Sequence, residues 1–298
     1  MSLSNFINVK GNADMKHAYL IIAHNEFEVL ELLISSLDNE KNDIYVHFDQ
    51  KIKKVPNLNA KKSILYILEK RIDVRWGNYS QIQCEYLLWE TASANGPYVF
   101  YHMISGVHLP LLATKELYSY FARFHGKSLF CNLQKRNGDY QEILKIHRIN
   151  ICTRTYASSN SMVSVLSQFV WKLFVALQRC LNFTVNDGIQ FYWANNWCSL
   201  SQSAIDYLIG QKDIVLKRYR WSFCGDEWFA PTELMNSELQ NDIINLPYLF
   251  NTIGKNNASV LDVADIAAIE SGNYCFARKF SSKHVDMINF VLCKIKEN

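Results

Sequence analysis

The stretch Ser222–Leu234, SFCGDEWFAPTEL, sets two adjacent carboxylates, Asp226 and Glu227, between a Cys-Gly turn and a Trp-Phe pair. Such a pair has two chemical readings. In one, the acids open a helix: Asp226 is the N-cap and Glu227 sits in the first turn, where carboxylates meet unsatisfied N–H groups and the positive end of the helix dipole. In the other, one of them is a general base whose pKa is lifted by apolar neighbours. A second segment with chemical potential is NYCFARKFSSKH, Asn273–His284, where Arg278 and Lys279 stand between Phe276 and Phe280. In a strand the two basic side chains point to opposite faces, so only one of them easily reaches a diphosphate. The same residues also read as a solvated basic pair.

Together these segments suit transfer of a sugar from a nucleoside diphosphate to a hydroxyl. With inversion, one base takes the acceptor proton as its oxygen attacks the anomeric carbon, a service worth on the order of 100- to 10,000-fold in rate. The departing diphosphate needs a divalent metal or basic side chains. A metal held in the manner common to nucleotide-sugar enzymes calls for Asp-x-Asp at a strand end, because hard oxygen ligands must cluster. No Asp-x-Asp occurs in the 298 residues, so no metal is expected and the leaving group falls to Lys or Arg.

The elements that must position these groups are those of a folded globular chain, 49% hydrophobic and 20% charged, with 5 prolines. A net charge of +3 is too mild for a concentrated nucleic-acid-binding face, so no nucleic-acid partner is expected. The 8 cysteines form no C-x-x-C, and buried thiols in a reducing compartment are the expectation, without a zinc site. Residues 1–15 read as a tail without a signal peptide, and Met15 as a possible natural start. No uncharged apolar run is long enough to span a membrane.

KHAYLIIAHN predicts a strand stopping at His24 and Asn25, EFEVLELLISSLDN a helix, and NDIYVHFDQK a second strand ending on Asp49. That order suggests a right-handed parallel crossover. The pattern continues with IDVRWGN as a strand, YSQIQCEYLLWETASANG as an amphipathic helix and YVFYHMISG as a buried strand. TKELYSYFARFHG then reads as a helix and SLFCNL as a strand. The fold class expected is α/β, with a mainly parallel central sheet flanked by helices. Ligands then bind beyond the carboxyl ends of the strands, at His24 and Asn25, Asp49, Trp76 to Asn78, and Ser105 to His108. Past residue 135 the regularity fades, so the single domain 16–298 is read as a nucleotide-sugar-binding half, 16–134, and an acceptor-binding and catalytic half, 135–298. Within the latter, SMVSVLSQFVWKLFVALQRCLNF carries an apolar stripe through Phe169, Val170, Leu173, Phe174 and Leu177. It reads either as a packing helix or as an interfacial membrane helix. Lys51–Lys62 reads as a solvated loop, with possible help in contacting an anionic membrane.

Six segments in this order resemble the core-2/I-branching and xylosyltransferase family, glycosyltransferase family 14: AYLIIAHNEFEVLELLISSLDNEKNDIYVHFDQK, VRWGNYSQIQCEYLLWETA, YVFYHMISGVHLPL, WANNWCSLSQSAIDYLI, GDEWFAPTELMNS and FARKF. The resemblance implies a GT-A-like, Rossmann-type fold and an inverting, metal-independent transferase using UDP-N-acetylglucosamine or UDP-xylose. The family's base matches Glu227, and its diphosphate-binding Lys matches Lys279, with Arg278 beside it. Ala23, His24, Asn25, Asp49, Trp76, Gly77 and Asn78 should surround the uridine and sugar, with Ser105 and Gly106 at the donor site. Trp197 matches a Trp near the acceptor, where Asn196 replaces the family's Gln. His108 stands where the family has an acid, in Ser-Gly-Val-His-Leu-Pro.

On this footing Glu227 is the expected base. Asp226 is then its helix cap, and Trp228 and Phe229 wall the site against water. The partners implied are a UDP-sugar donor and a glycan or glycolipid acceptor, with no cofactor besides. The absence of an anchor favours a cytoplasmic bacterial enzyme of surface polysaccharide or lipopolysaccharide synthesis, either free or peripheral at the inner face of the membrane. Two other classes remain open: a non-catalytic nucleotide-sugar or glycan-binding protein, and a metal-dependent nucleotidyltransferase of similar architecture.

Overall fold

A computed structural model describes residues 16–252 and 258–296; the tail 1–15 and the start at Met15 lie outside the described residues. The regular part runs β1 (His17–Ala23), α1 (Phe27–Leu37), β2 (Asn42–Phe48), β3 (Ile64–Ile67), α2 (Ser80–Ser93), β4 (Phe100–Ser105), β5 (His108–Pro110), α3 (Thr114–Ala122) and β6 (Ser128–Phe130). Next come β7 (Gln134–Lys135), α4 (Tyr140–Lys145), α5 (Ser161–Cys180), β8 (Tyr192–Trp193), β9 (Ser199–Leu200), α6 (Gln202–Gly210), α7 (Lys212–Tyr219) and α8 (Phe229–Met235). The chain closes with β10 (Ile243–Asn245), β11 (Leu249–Asn251), α9 (Ile266–Glu270), β12 (Phe276–Arg278) and α10 (Val285–Lys296).

A 7-stranded sheet in the order β10-β6-β9-β4-β1-β2-β3 forms the centre. Pairings from β3 through β4 are parallel, and β9 is antiparallel to both β4 and β6. This is the α/β architecture expected, with the strand order reversing between β1 and β4, where open sheets of this class bind their ligands. The apolar run of β1 explains its central place. Tyr19, Ile21 and Ala23 face one core with Leu30 and Leu33 of α1, while Ala18 and Leu20 face the other with Ile82 and Trp89 of α2. A strand buried on both faces needs no polar alternation. A smaller sheet, β11-β12-β5, lays β12 antiparallel to β5 with Arg278 opposite His108.

One expected strand is absent. IDVRWGN is an extended loop, and the edge strand is instead Ile64–Ile67, paired parallel to β2. The reason lies in side-chain capture. The Ile72 N–H donates to His47 Nε2 and the Arg75 N–H to Ser80 Oγ, while the Val74 carbonyl accepts from Lys51 and the Ile72 carbonyl from the Gln50 N–H, so few backbone groups remain for a ladder. The Lys51–Lys62 loop keeps its lysines outside but buries Leu58 in the core. All eight cysteines are free; five are buried, whereas Cys180 and Cys293 are exposed.

Candidate active site

The carboxyl edge of the sheet brings together the residues that end β1, β2 and β4. The Asp49 N–H donates to the Ala23 carbonyl (3.0 Å) and the Gly106 N–H to the Ile22 carbonyl (3.0 Å). A side chain at Gly106 would meet the Ala23 Cβ at 3.3 Å, so glycine lets the β4–β5 turn lie close against β1. Buried Asp49 accepts from the Lys51 ammonium at 2.6 Å, and Lys51 also reaches Asp73 at 2.9 Å. His24 and Asn25 project past β1 at the exposed rim. Partial desolvation holds the His24 imidazole below the usual histidine range; the Asp49 charge opposes this, while Lys279, Lys51 and Arg278 add to it.

Trp76, Gly77 and Asn78 form the turn before α2. Gly77 adopts φ +69°, and its would-be Cβ lies 2.7 Å from the Phe223 ring, so both conformation and space require glycine. Its carbonyl accepts from the Cys224 N–H (2.9 Å), and Trp76 meets Phe223 edge-on at 5.5 Å. Asn78 turns aside to donate to Thr153 (2.8 Å). Gln81 is the clamp of this seam. It accepts from the Gly77 N–H (2.6 Å) and donates to Asp226 Oδ2 (2.8 Å), joining the α2 turn to the acidic turn.

The helix-start reading of the two acids is corrected. Gly225–Glu227 is a single 3₁₀ turn, and α8 begins at Phe229 after Trp228 with no side-chain cap, so Asp226 caps nothing. Asp226 is buried against Gln81, and burial together with the Glu227 charge pushes its carboxyl up to about 7. Glu227, its side chain 31% exposed, opens outward. The Trp193 indole N–H donates to Glu227 Oε2 at 2.9 Å, and the Lys145 ammonium lies 3.6 Å from the same oxygen. Trp228 is also corrected. At 1% exposure it belongs to the core beneath the turn, packed near Phe191 and under Arg136, and it faces no ligand. Phe229, fully buried, sits in the same core.

Opposite stand the basic residues. The Arg278 guanidinium lies 4.8 Å over the Trp197 ring, and His108 meets that ring edge-on at 5.1 Å. Burial brings Arg278 down to about 10 against the upward pull of the Glu227 charge, which links the acidic turn electrostatically to β12. Lys279 is lowered by desolvation and by its Arg278 neighbour. The Ser105 N–H donates to His108 Nδ1 (3.0 Å), and His108 Nε2 is buried without a partner. Burial, then the Arg278 charge, holds this histidine well below its usual range, so it stands neutral where the resembling family has an acid. Half-buried Asn196 draws down the buried Glu85 carboxyl, which burial and the Asp226 charge push upward.

Sequence reasoning missed Trp193, Lys145, Gln81 and Glu85. Gln81 alone carried a local signal, four residues past a glycine turn; Trp193 is 34 residues from Glu227 and meets it only through the fold. Among the described residues no group of three His, Cys, Asp or Glu is arranged to hold a metal ion.

A search of the curated proteins gave no match. Among solved structures, mouse xyloside xylosyltransferase 1 in its apo form is similar at 10% identity over 91% of this chain and 99% of that one, with a TM-score of 0.39. TarS 1-349 of S. aureus is similar at 12% identity over 76% of this chain and 67% of that one, with a TM-score of 0.28. The profile of the Core-2/I-Branching enzyme family matches residues 17–248, from β1 through the acidic turn, and the chain therefore belongs to this family of glycosyltransferases.

Proposed function

We propose that this glycosyltransferase is an inverting, metal-independent enzyme that moves N-acetylglucosamine or xylose from a UDP-sugar to a hydroxyl of a glycan or glycolipid. The observation that carries the reading is one outward carboxylate, Glu227, held at a single oxygen by the Trp193 indole N–H (2.9 Å) and the Lys145 ammonium (3.6 Å). In the reaction Glu227 takes the acceptor proton while the acceptor oxygen attacks the anomeric carbon from the face opposite UDP. Both the indole N–H of Trp193 and the Lys145 ammonium address Oε2, which fixes the carboxylate and leaves Oε1 for the acceptor. Charge developing on the diphosphate is met by Lys279 and Arg278, preorganised cations in a partly dry site, where they act more strongly than in water. The donor lies along the carboxyl edge of the sheet, between Ala23, His24, Asn25, Asp49 and the Trp76–Gly77 turn. Trp197 lies on the acceptor side, and His108, fully buried, packs behind its ring and faces no acceptor, which corrects the expectation for this residue.

Cytoplasmic residence and a role in bacterial surface polysaccharide or lipopolysaccharide synthesis complete the proposal; eight free cysteines suit a reducing compartment. The test is thermal unfolding with UDP, UDP-N-acetylglucosamine, UDP-xylose, UDP-glucose and UDP-galactose, each with EDTA and with manganese, followed by single-turnover transfer. Ligand bound to the native state raises the apparent Tm. The expected result is a UDP-sugar shift that persists in EDTA. A shift that needs manganese overturns metal independence, and binding without any turnover favours a non-catalytic nucleotide-sugar-binding protein.

A further inference from the structure

Helix α5 turns its widest apolar surface outward and buries only Ser167, Trp171, Val175 and Gln178. Its inner face is pinned to the protein through polar contacts: the Trp171 indole N–H donates to Asn150 Oδ1 (2.8 Å), Gln178 bonds both the N–H and the carbonyl of Ile149 (2.9 Å each), and Ser167 donates to Thr155 (2.7 Å). Its outer face carries Met162, Val165, Leu166, Phe169, Leu173 and Leu177, a row at helical spacing with exposures of 78% at Met162, 64% at Phe169 and 63% at Leu173. Six large apolar side chains in one exposed row are far more than scattered surface hydrophobes.

The charge around this row selects its partner. Between Glu142 and Asp187 the chain has no Asp or Glu, yet holds Lys145, Arg148, Arg154, Lys172 and Arg179. Of these, Lys172 and Arg179 lie on α5 itself and are exposed. Lys145 and Arg154 are paired with Glu227 and Asp73, and Arg148 is buried, so the charges that flank the stripe are Lys172 and Arg179; an apolar stripe with these cations beside it complements an anionic lipid surface, where acyl chains accept the stripe and headgroups accept the cations. The length and composition of α5 also suffice for a membrane span, but spanning would break every polar contact that holds its inner face.

We infer that α5 docks the protein on an anionic phospholipid surface, lying in the interface with its Met162–Leu177 row immersed. The docked helix is coupled directly to the acidic turn. Trp171 packs on Phe223 (5.5 Å between rings), Phe223 closes on Trp76 and Gly77, and Cys224 lies in the same cluster two residues before Asp226. Immersion of α5 is therefore linked, through this packing, to the turn that carries Glu227.

The experiment is flotation of the intact chain with vesicles of phosphatidylcholine alone and of equal parts phosphatidylcholine and phosphatidylglycerol. Its readout is independent of sugar transfer, so the proposal stands or falls apart from the reaction above. Wild type is expected to float with the mixed vesicles and weakly or not at all with phosphatidylcholine. The triple variant Leu166→Glu, Phe169→Glu, Leu173→Glu should lose more than about tenfold in partition, with unchanged near-UV circular dichroism because all three side chains point outward. The variant Lys172→Gln, Arg179→Gln, which leaves the apolar row intact, should lose about fivefold per charge removed. Three outcomes overturn the inference: wild type that floats with neither vesicle, a triple variant that floats as well as wild type, or a wild-type dimer that does not float and that the triple variant converts to a monomer. The last would assign the row to a second copy of the chain.

Discussion

The stretch from β1 to β6 and the stretch that follows it are built by different means. In the first, β1 and β2 have 7 residues each and β4 has 6, and their ladders alone fix the backbone. In the second, β8 and β9 have 2 residues each, β12 has 3, and position is set by individual side chains: Gln81 on Asp226, Trp193 on Glu227, Asn150 on Trp171. Yet β9 and β10 of the second stretch pair into the sheet of the first. A ladder gives stiffness without choice of direction, and a single side-chain contact can aim one carboxylate. Donor-edge residues therefore come from ladder ends, and the reactive groups come from irregular chain hung upon them.

The largest effect that separates the two regions is expected from Glu227→Gln. Glutamine keeps the shape and can still accept from Trp193, but it takes no proton. Transfer should fall by roughly 100- to 10,000-fold in kcat, while UDP affinity, owed to the sheet edge and to β12, stays at its wild-type value. Isothermal titration with UDP beside single-turnover transfer reads both quantities. Turnover within a few-fold of wild type would move the base elsewhere and remove the division of labour.

Next in size is Lys279→Ala. This residue follows β12, the strand of the second region that lies against the β4–β5 turn through the pairing of Arg278 with His108. A charge-assisted hydrogen bond to phosphate contributes roughly 1.5 to 3 kcal/mol, so UDP should bind about ten- to a hundredfold more weakly. Arginine at the same position should restore part of the loss. Affinity unchanged by the substitution would confine donor binding to the first region.

The same contrast governs what the sequence makes legible. The apolar runs of β1, β2 and β4, the period of α1 and α2 and the stop at Ser105-Gly106 are local signals, and the structure follows them. IDVRWGN has strand composition, but His47, Ser80 and Lys51 side chains take its backbone groups and the ladder passed to Ile64–Ile67. In the second region two acids beside Trp and Phe left both readings open, and it was the family resemblance that singled out Glu227 as the expected base. The role of Asp226 was not legible. A helix cap and a buried acid share one sequence signature, and the choice was made by Gln81, distant in the chain. Trp228 misled for a like reason, since an indole next to a base looks the same in sequence whether it faces the ligand or the core.

The smallest expected effect tests that buried acid. Asp226 has a folded pKa near 7 against an ordinary 3.8, raised first by burial and then by the Glu227 charge. Its native form holds a proton that the unfolded form has released between those values. Stability from this group is thus fully present below about pH 4 and is lost as pH rises through 7, the direction linkage requires when the folded state binds more protons. Asp226→Asn keeps an oxygen for Gln81 and cannot titrate. The difference in Tm, variant minus wild type, should therefore grow by a few degrees from pH 5 to pH 8, read by calorimetry in buffers of low ionisation heat. Parallel Tm profiles would mean that Asp226 is already ionised across this range, with Gln81 and water meeting its charge. The irregular region would then be held by hydrogen bonds alone, without a neutral carboxyl beneath the base.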